Sequence, residues 1–216
     1  MRLSGESALP PRKASIPRGT HAAVLVGCAE LGTQDTGFPD KNGKPKFSNK
    51  VRLIWQVPAF PVTFTDRRTN SERTEPAIAT MNCTASMGTE KMRSNLRKVY
   101  EAMMGVTVEA DGEYELGDMV GRGCLLQISH RESDNGSVWE SVENVVSLPD
   151  GMPVPRPVGP TVNYVIRDAD GNRNEPPERF LSAKMIEQIR HSPEYTGIGT
   201  REDDVAEAPN VDDTPF

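Results

Sequence analysis

At 216 residues the chain is long enough for one sizeable domain with extensions, or for two small ones. The formal charge of −6 resides in the last fifteen residues, which hold six acids and no Lys or Arg, so residues 1–201 balance and any nucleic-acid face must come from how charges are distributed. No apolar run reaches the length of a membrane span, and the opening Met-Arg-Leu-Ser-Gly-Glu lacks the order of a signal peptide, which makes the cytoplasm the expected compartment.

Residues 1–20 carry Pro10, Pro11 and Pro17 with Arg2, Arg12, Lys13 and Arg18, and read as an extended basic arm that touches phosphate or is simply mobile. Apolar density predicts a buried strand over 21–31, with Gly27 at a bulge or a close backbone approach. Gly37, Pro39, Asn42-Gly43 and Pro45 predict a long hairpin loop over 34–49, bearing Lys41, Lys44 and Lys46 with Phe38 and Phe47 interleaved. Residues 50–57 then alternate: Val51, Leu53, Trp55 and Val57 share one face, Lys50, Arg52, Ile54 and Gln56 the other. From Lys41 to Arg52 there are five bases and no acid.

A second loop is expected over 58–75, with Phe60 and Phe64 as exposed aromatics and Arg67, Arg68 and Arg73 following. A third strand follows over 76–86. Thr89 and Glu90 supply an N-cap and a first-turn acid for a helix ending at Met104, stopped by Gly105, with Met92, Leu96, Val99 and Met103 as its apolar stripe. After an acidic connector come a strand over 122–131, a tight turn at Asn135-Gly136 with positive φ angles, and a strand over 138–148 carrying Trp139, whose place in core or on surface is open. Residues 149–201 form a Pro-rich linker, an added edge strand over 161–167, a turn over 168–174 and a short helix over 177–190 with Phe180, Leu181, Met185 and Ile189 inward.

Cys28, Cys83 and Cys124 lie far apart without zinc-type spacing, and are expected to be reduced and buried. His21, His130 and His191 are scattered, and no nucleophile triad or phosphate loop is present. The stretch from Asp168 starts like a calcium loop but has Arg179 where the closing glutamate belongs. The expectation is a protein that is not an enzyme and uses no cofactor or metal.

Residues 202–216 cannot bury enough surface to offset their ordering entropy and read as a disordered acidic tail. Phe216 joins an aromatic ring to the α-carboxylate, Pro215 stiffens the approach, and Asp212 and Asp213 add charge, which suits a basic-rimmed apolar pocket on a partner. This tip resembles that of the bacterial and phage single-stranded DNA-binding proteins, whose acidic tails end in a similar Asp-Asp-X-Pro-Phe and recruit replication and repair enzymes. Thr214 stands where that family usually has an apolar residue. The body, through Gly19 to Ala23 (Gly-Thr-His-x-Ala) and Leu31 to Gln34 (Leu-Gly-Thr-Gln), is similar to a group of phage-encoded proteins, which implies a phage replication or recombination setting and a host bacterial cytoplasm.

Three strands, a helix and two hairpin-linked strands is the element order of the OB-fold, a five-stranded Greek-key barrel with its helix between strands 3 and 4, here over 21–148. In such barrels the second and third strands and adjoining loops stack bases and track the backbone. The expected nucleic-acid contacts are Lys41, Lys44, Lys46, Phe47, Lys50, Arg52, Phe60, Phe64, Arg67, Arg68 and Arg73, and the partner contacts are Asp212, Asp213, Pro215 and Phe216. The expected function is to coat single-stranded DNA, with or without homo-oligomers, and to recruit replication and recombination proteins. The alternative is an OB-fold protein-interaction adaptor that binds no nucleic acid.

Overall fold

The computed structural model describes residues 12–66, 69–109 and 112–197. Five antiparallel strands, β1 (Gly19–Pro39), β2 (Pro45–Asp66), β3 (Ser71–Thr84), β4 (Gly123–Glu132) and β5 (Val138–Ser147), run in the order β3-β2-β1-β4-β5, and the short β6 (Val162–Tyr164) pairs with β1 in parallel. The hub is β1. Residues 19–24 pair with β4, residues 27–29 with β6, and from Val24 outward the strand pairs with β2. The register slips between Leu25 and Gly27, where a Cβ on Gly27 would stand 3.0 Å from Ile54 Cδ1, so the expected bulge and the close approach coincide. Edge strands β3 and β5 curl toward each other, a barrel-like arrangement.

The loops expected over 34–49 and 58–75 are mostly paired strand. β1 and β2 keep pairing, through register shifts, out to Pro39↔Pro45, and β2 and β3 pair again from Pro61↔Pro76 to Asp66↔Ser71. The prolines and Gly37 mark bulges and ribbon ends, where the ladder slips between Asp35 and Pro39 and between Val57 and Pro61. Thr63 and Thr74 face each other with hydroxyls 2.9 Å apart, a cross-strand pair that polar composition alone disguised as loop. β2 therefore carries two ribbons, one at each end.

The core lies on the inner face of this sheet. Ala23, Leu25 and Cys28 of β1, Val51, Leu53, Trp55 and Val57 of β2, Ala77, Ala79 and Cys83 of β3, and Cys124, Leu126 and Ile128 of β4 are all buried there. Trp55 is fully buried, as its strand parity predicts. Burial pushes the thiols of Cys28 and Cys124 up to about 12, and all three cysteines are buried and outside any disulfide.

Helix α1 (Asn95–Met104) adds Leu96, Val99, Tyr100 and Met103 to that core. Its N-cap is Ser94, whose hydroxyl accepts from the Arg97 amide at 2.9 Å, not Thr89, which accepts from the Met92 amide in a turn of its own. Met92 thus leaves the stripe and is exposed. Either hydroxyl can cap, and the buried one does. Gly105 ends the helix at φ 69, as expected. At the β4–β5 turn only Gly136 takes a positive φ, while the Asn135 side chain accepts from the Ser133 hydroxyl and the Ser137 amide.

Residues 12–18 are docked, contrary to the free basic arm expected over 1–20. Glu140 accepts from the Arg12 guanidinium and from the Ser15 and Ile16 amides, and Ile16 is fully buried. Arg12 also lies over the Trp139 ring at 4.3 Å, which places Trp139 on the surface, half exposed. Residues 1–11 lie outside the described residues.

The C-terminal segment packs on the outer face of β1. Helix α2 (Ala183–Arg190, capped by Ser182) and α3 (Pro193–Thr196) join Leu181, Ile189 and Tyr195 to Ala29, Leu31, Tyr164 and Ile166 in a second core. The helix is shorter than the expected 177–190, and Phe180 precedes it at φ 66, packed on Val24, Val26 and Ile54. No helix among the described residues is long and apolar enough to cross a membrane.

Candidate nucleic-acid interface

Strand alternation puts Lys46, Ser48, Lys50, Arg52, Ile54 and Gln56 on the outer face of β2. Two of these are nevertheless sealed. Ile54 lies under Phe180, and the Gln56 side chain donates to the Val158 carbonyl at 2.9 Å and accepts from the Val158 amide at 2.7 Å. The outer face of β2 is therefore open from Arg52 toward the first ribbon and closed beyond it.

On the open half, the Arg52 guanidinium donates to Asn82 Oδ1, directly across the β2–β3 ladder, and to Thr80 Oγ1, diagonally across it, each at 2.9 Å. Both partners are neutral, so a half-buried cation is held in place with no ion pair among the described residues. Burial lowers its pKa, yet a guanidinium stays charged at neutral pH. Asn82 and Thr80 were not singled out in the sequence. The register of the hairpin is the signal that would have found them.

Lys41, Lys44 and Lys46 lie at the tip of the first ribbon. The tip is shaped by Asp40, whose carboxylate accepts from the Asn42 and Lys44 amides at 2.8 Å. These bonds, that from Lys44 foremost, hold its pKa below the usual carboxylate value. Phe47 sits on the face of the ribbon opposite Lys46, beyond the core and 46% exposed. Phe38, on the paired strand, is exposed too.

The second ribbon fits the expectation less well. Phe64 is exposed, but Phe60 packs at the edge of the core with its ring edge-to-face on His21, centroids 4.8 Å apart, so it is not a free stacking platform. Arg73 pairs with Asp66 at 3.3 Å, and Glu72 and Glu75 share its strand, which leaves this ribbon far less basic than the first. Arg67 and Arg68 lie outside the described residues, as do Asp212, Asp213, Pro215 and Phe216. Phe47 and Phe64 are brought together by strand continuity alone. They are 17 steps apart along the strand, which at about 3.3 Å per residue separates them by no more than about 56 Å.

Compared with known proteins, the chain matches no family model, and no curated protein is similar to it.

Proposed function

We propose that the protein binds single-stranded DNA along the first ribbon and the open half of β2, on an OB-fold barrel. The observation that carries this reading is Arg52, fixed without an ion pair, in line with Lys50 and Lys46 on β2 and followed by Lys44 and Lys41 in the turn at the ribbon tip. Cations spaced along a strand, with Phe47 on the same ribbon, suit a ligand that is itself a chain of phosphates and unstacked bases. The OB-fold assignment is supported by a central β1 that pairs with both β2 and β4, by edge strands that approach each other, and by a helix between β3 and β4.

The role that fits is coating exposed strands in phage DNA replication or recombination, with the acidic Asp212-Asp213-Thr214-Pro215-Phe216 tip recruiting partner enzymes. The test is fluorescence anisotropy with single-stranded and duplex oligonucleotides at two salt concentrations. Preference for the single strand, with a log-log salt slope of about −0.7 per phosphate contact, supports the reading. Equal affinity for duplex, or none for either, returns the barrel to the class of protein-interaction adaptors.

A further inference from the structure

Between β2 and α2 lies a half-open cleft of about 360 Å³. One wall is the outer face of the sheet, with Lys50, Arg52 and Asn82, and the other is α2, with Met185 and Gln188. The helix is fixed there from both sides. Ile189 is buried against the β1 face, and the Gln34 amide donates to the Leu31 carbonyl at 2.6 Å and to the Gln188 carbonyl at 3.4 Å. A carboxylate, Asp35, also lines the cleft; it accepts from the Gly37 amide at 2.9 Å and makes no ion pair with Arg52, so the lining carries two cations and one anion.

Resting on the single-stranded DNA reading above, we propose that this cleft seats one phosphodiester unit of the bound strand on Arg52 and Lys50. On this view α2 forms part of the DNA-binding surface and does not merely cover β1. Three features favour a strand phosphate over a small anion. The cleft opens toward a row of further cations, Lys46 and then the ribbon tip, so it is the end of a track. Past Arg52 the β2 face is closed by Phe180 over Ile54, so the strand must turn away there. Its volume admits a backbone unit with Met185 and Leu31 as apolar contact for the adjoining sugar.

The experiment uses the full chain and oligo-dT anisotropy. Gln188→Glu sets a carboxylate across the cleft from Arg52, and Gln127→Glu adds the same charge at an exposed position on β4 as a control. Gln188→Glu is expected to weaken oligo-dT binding roughly threefold to fivefold at low salt, fading as salt rises, while Gln127→Glu shifts it by less than about 1.5-fold. Arg52→Gln is expected to make the salt slope shallower by about 0.7. A thermal melt accompanies it, and should that variant fail to fold, the exposed Gln188 substitution decides alone. Inorganic phosphate and thymidine 5′-monophosphate serve as competitors. If either binds the wild-type cleft by itself and displaces oligo-dT, the site belongs to a free phosphate and the proposal falls. If the wild type binds oligo-dT and Gln188→Glu behaves like Gln127→Glu, the cleft proposal falls while DNA binding stands. A wild type that binds no oligonucleotide removes both.

Discussion

Arg97, 2% exposed on the inner side of α1, donates Nε to Glu101 Oε1 at 2.9 Å, one helical turn along. The same carboxylate oxygen accepts from the Val108 amide at 3.0 Å, and the guanidinium reaches back to the Val108 carbonyl. One ion pair thus closes the backbone that follows the helix. Arg97→Met should cost about 1–3 kcal/mol in a urea denaturation, because it strands the buried Val108 carbonyl and leaves Glu101 with only Arg93 and the Val108 amide. A loss within 0.5 kcal/mol or so would mean that water replaces the guanidinium freely.

The same knot sets a pH dependence. Burial raises the Glu101 pKa, but the bond from Arg97, the bond from the Val108 amide and the nearby Arg93 charge outweigh it and hold the group below its usual value. A carboxyl depressed in the folded state contributes stability that is present above its unfolded pKa and is lost as pH falls through its folded pKa. Urea midpoints should therefore drop on acidification below about pH 4.3, the ordinary glutamate value. In Glu101→Gln that limb should shrink relative to the wild type, starting from a lower midpoint at neutral pH.

Phe47, Phe64 and Phe60 should separate cleanly. Phe47→Ala should weaken single-strand binding about fivefold or more with an unchanged melt, as loss of a stacking platform does, and Phe64→Ala should do so to the extent that the strand reaches the second ribbon. Phe60→Ala should instead lower the melting temperature, since its ring packs on His21 and the core. Binding lost in Phe60→Ala with an intact melt would reverse this assignment.

Gln56 fastens the C-terminal segment to the barrel. Gln56→Leu removes both bonds to Val158 and should cost on the order of 1 kcal/mol, with limited proteolysis cutting faster between residues 150 and 181. Unaltered cleavage would show that the packing of Phe180 on Val24 and Ile54 suffices to hold the segment.

The acidic C-terminal residues give the last prediction. Deleting residues 202–216 should leave single-strand binding intact or slightly tighter at low salt, because exposed charges act over only about 10 Å at moderate ionic strength. Phe216→Ala should abolish capture of host replication or recombination proteins in a pull-down and hardly change DNA affinity. Identical partner profiles for the parent and the Phe216 variant would end the recruiting role.

Much of the sheet was legible because its inner residues obey strict periods. Val51, Leu53, Trp55 and Val57 alternate, Leu96, Val99 and Met103 follow a helical stripe, and Gly27 punctuates the strand where it changes partners. The ribbons were not legible. Gly37, Pro39, Pro45 and Pro61 are ordinary loop signals, and only long-range register shows that the residues between them are paired. The interface was half legible for the same reason. Charge density marked Lys41 to Arg52, but nothing local distinguishes Phe60, which is packed, from Phe64, which is not. Nor does composition reveal that a distant Val158 closes the strand face at Gln56, or that Glu140 gathers Arg12, Ser15 and Ile16 onto β5.

Because β2 is one 22-residue strand bearing both ribbons, the spacing of its two ends is fixed by covalent geometry. Adding a single residue between Phe47 and Trp55 would exchange inner and outer faces for everything on one side of it, exposing Trp55 or burying Arg52, unless a new bulge absorbed the step. Adding two would preserve both faces and lengthen the strand by about 7 Å. Short of a new bulge, the reach of this protein therefore changes through evolution in pairs of residues, a quantum imposed by the pleat.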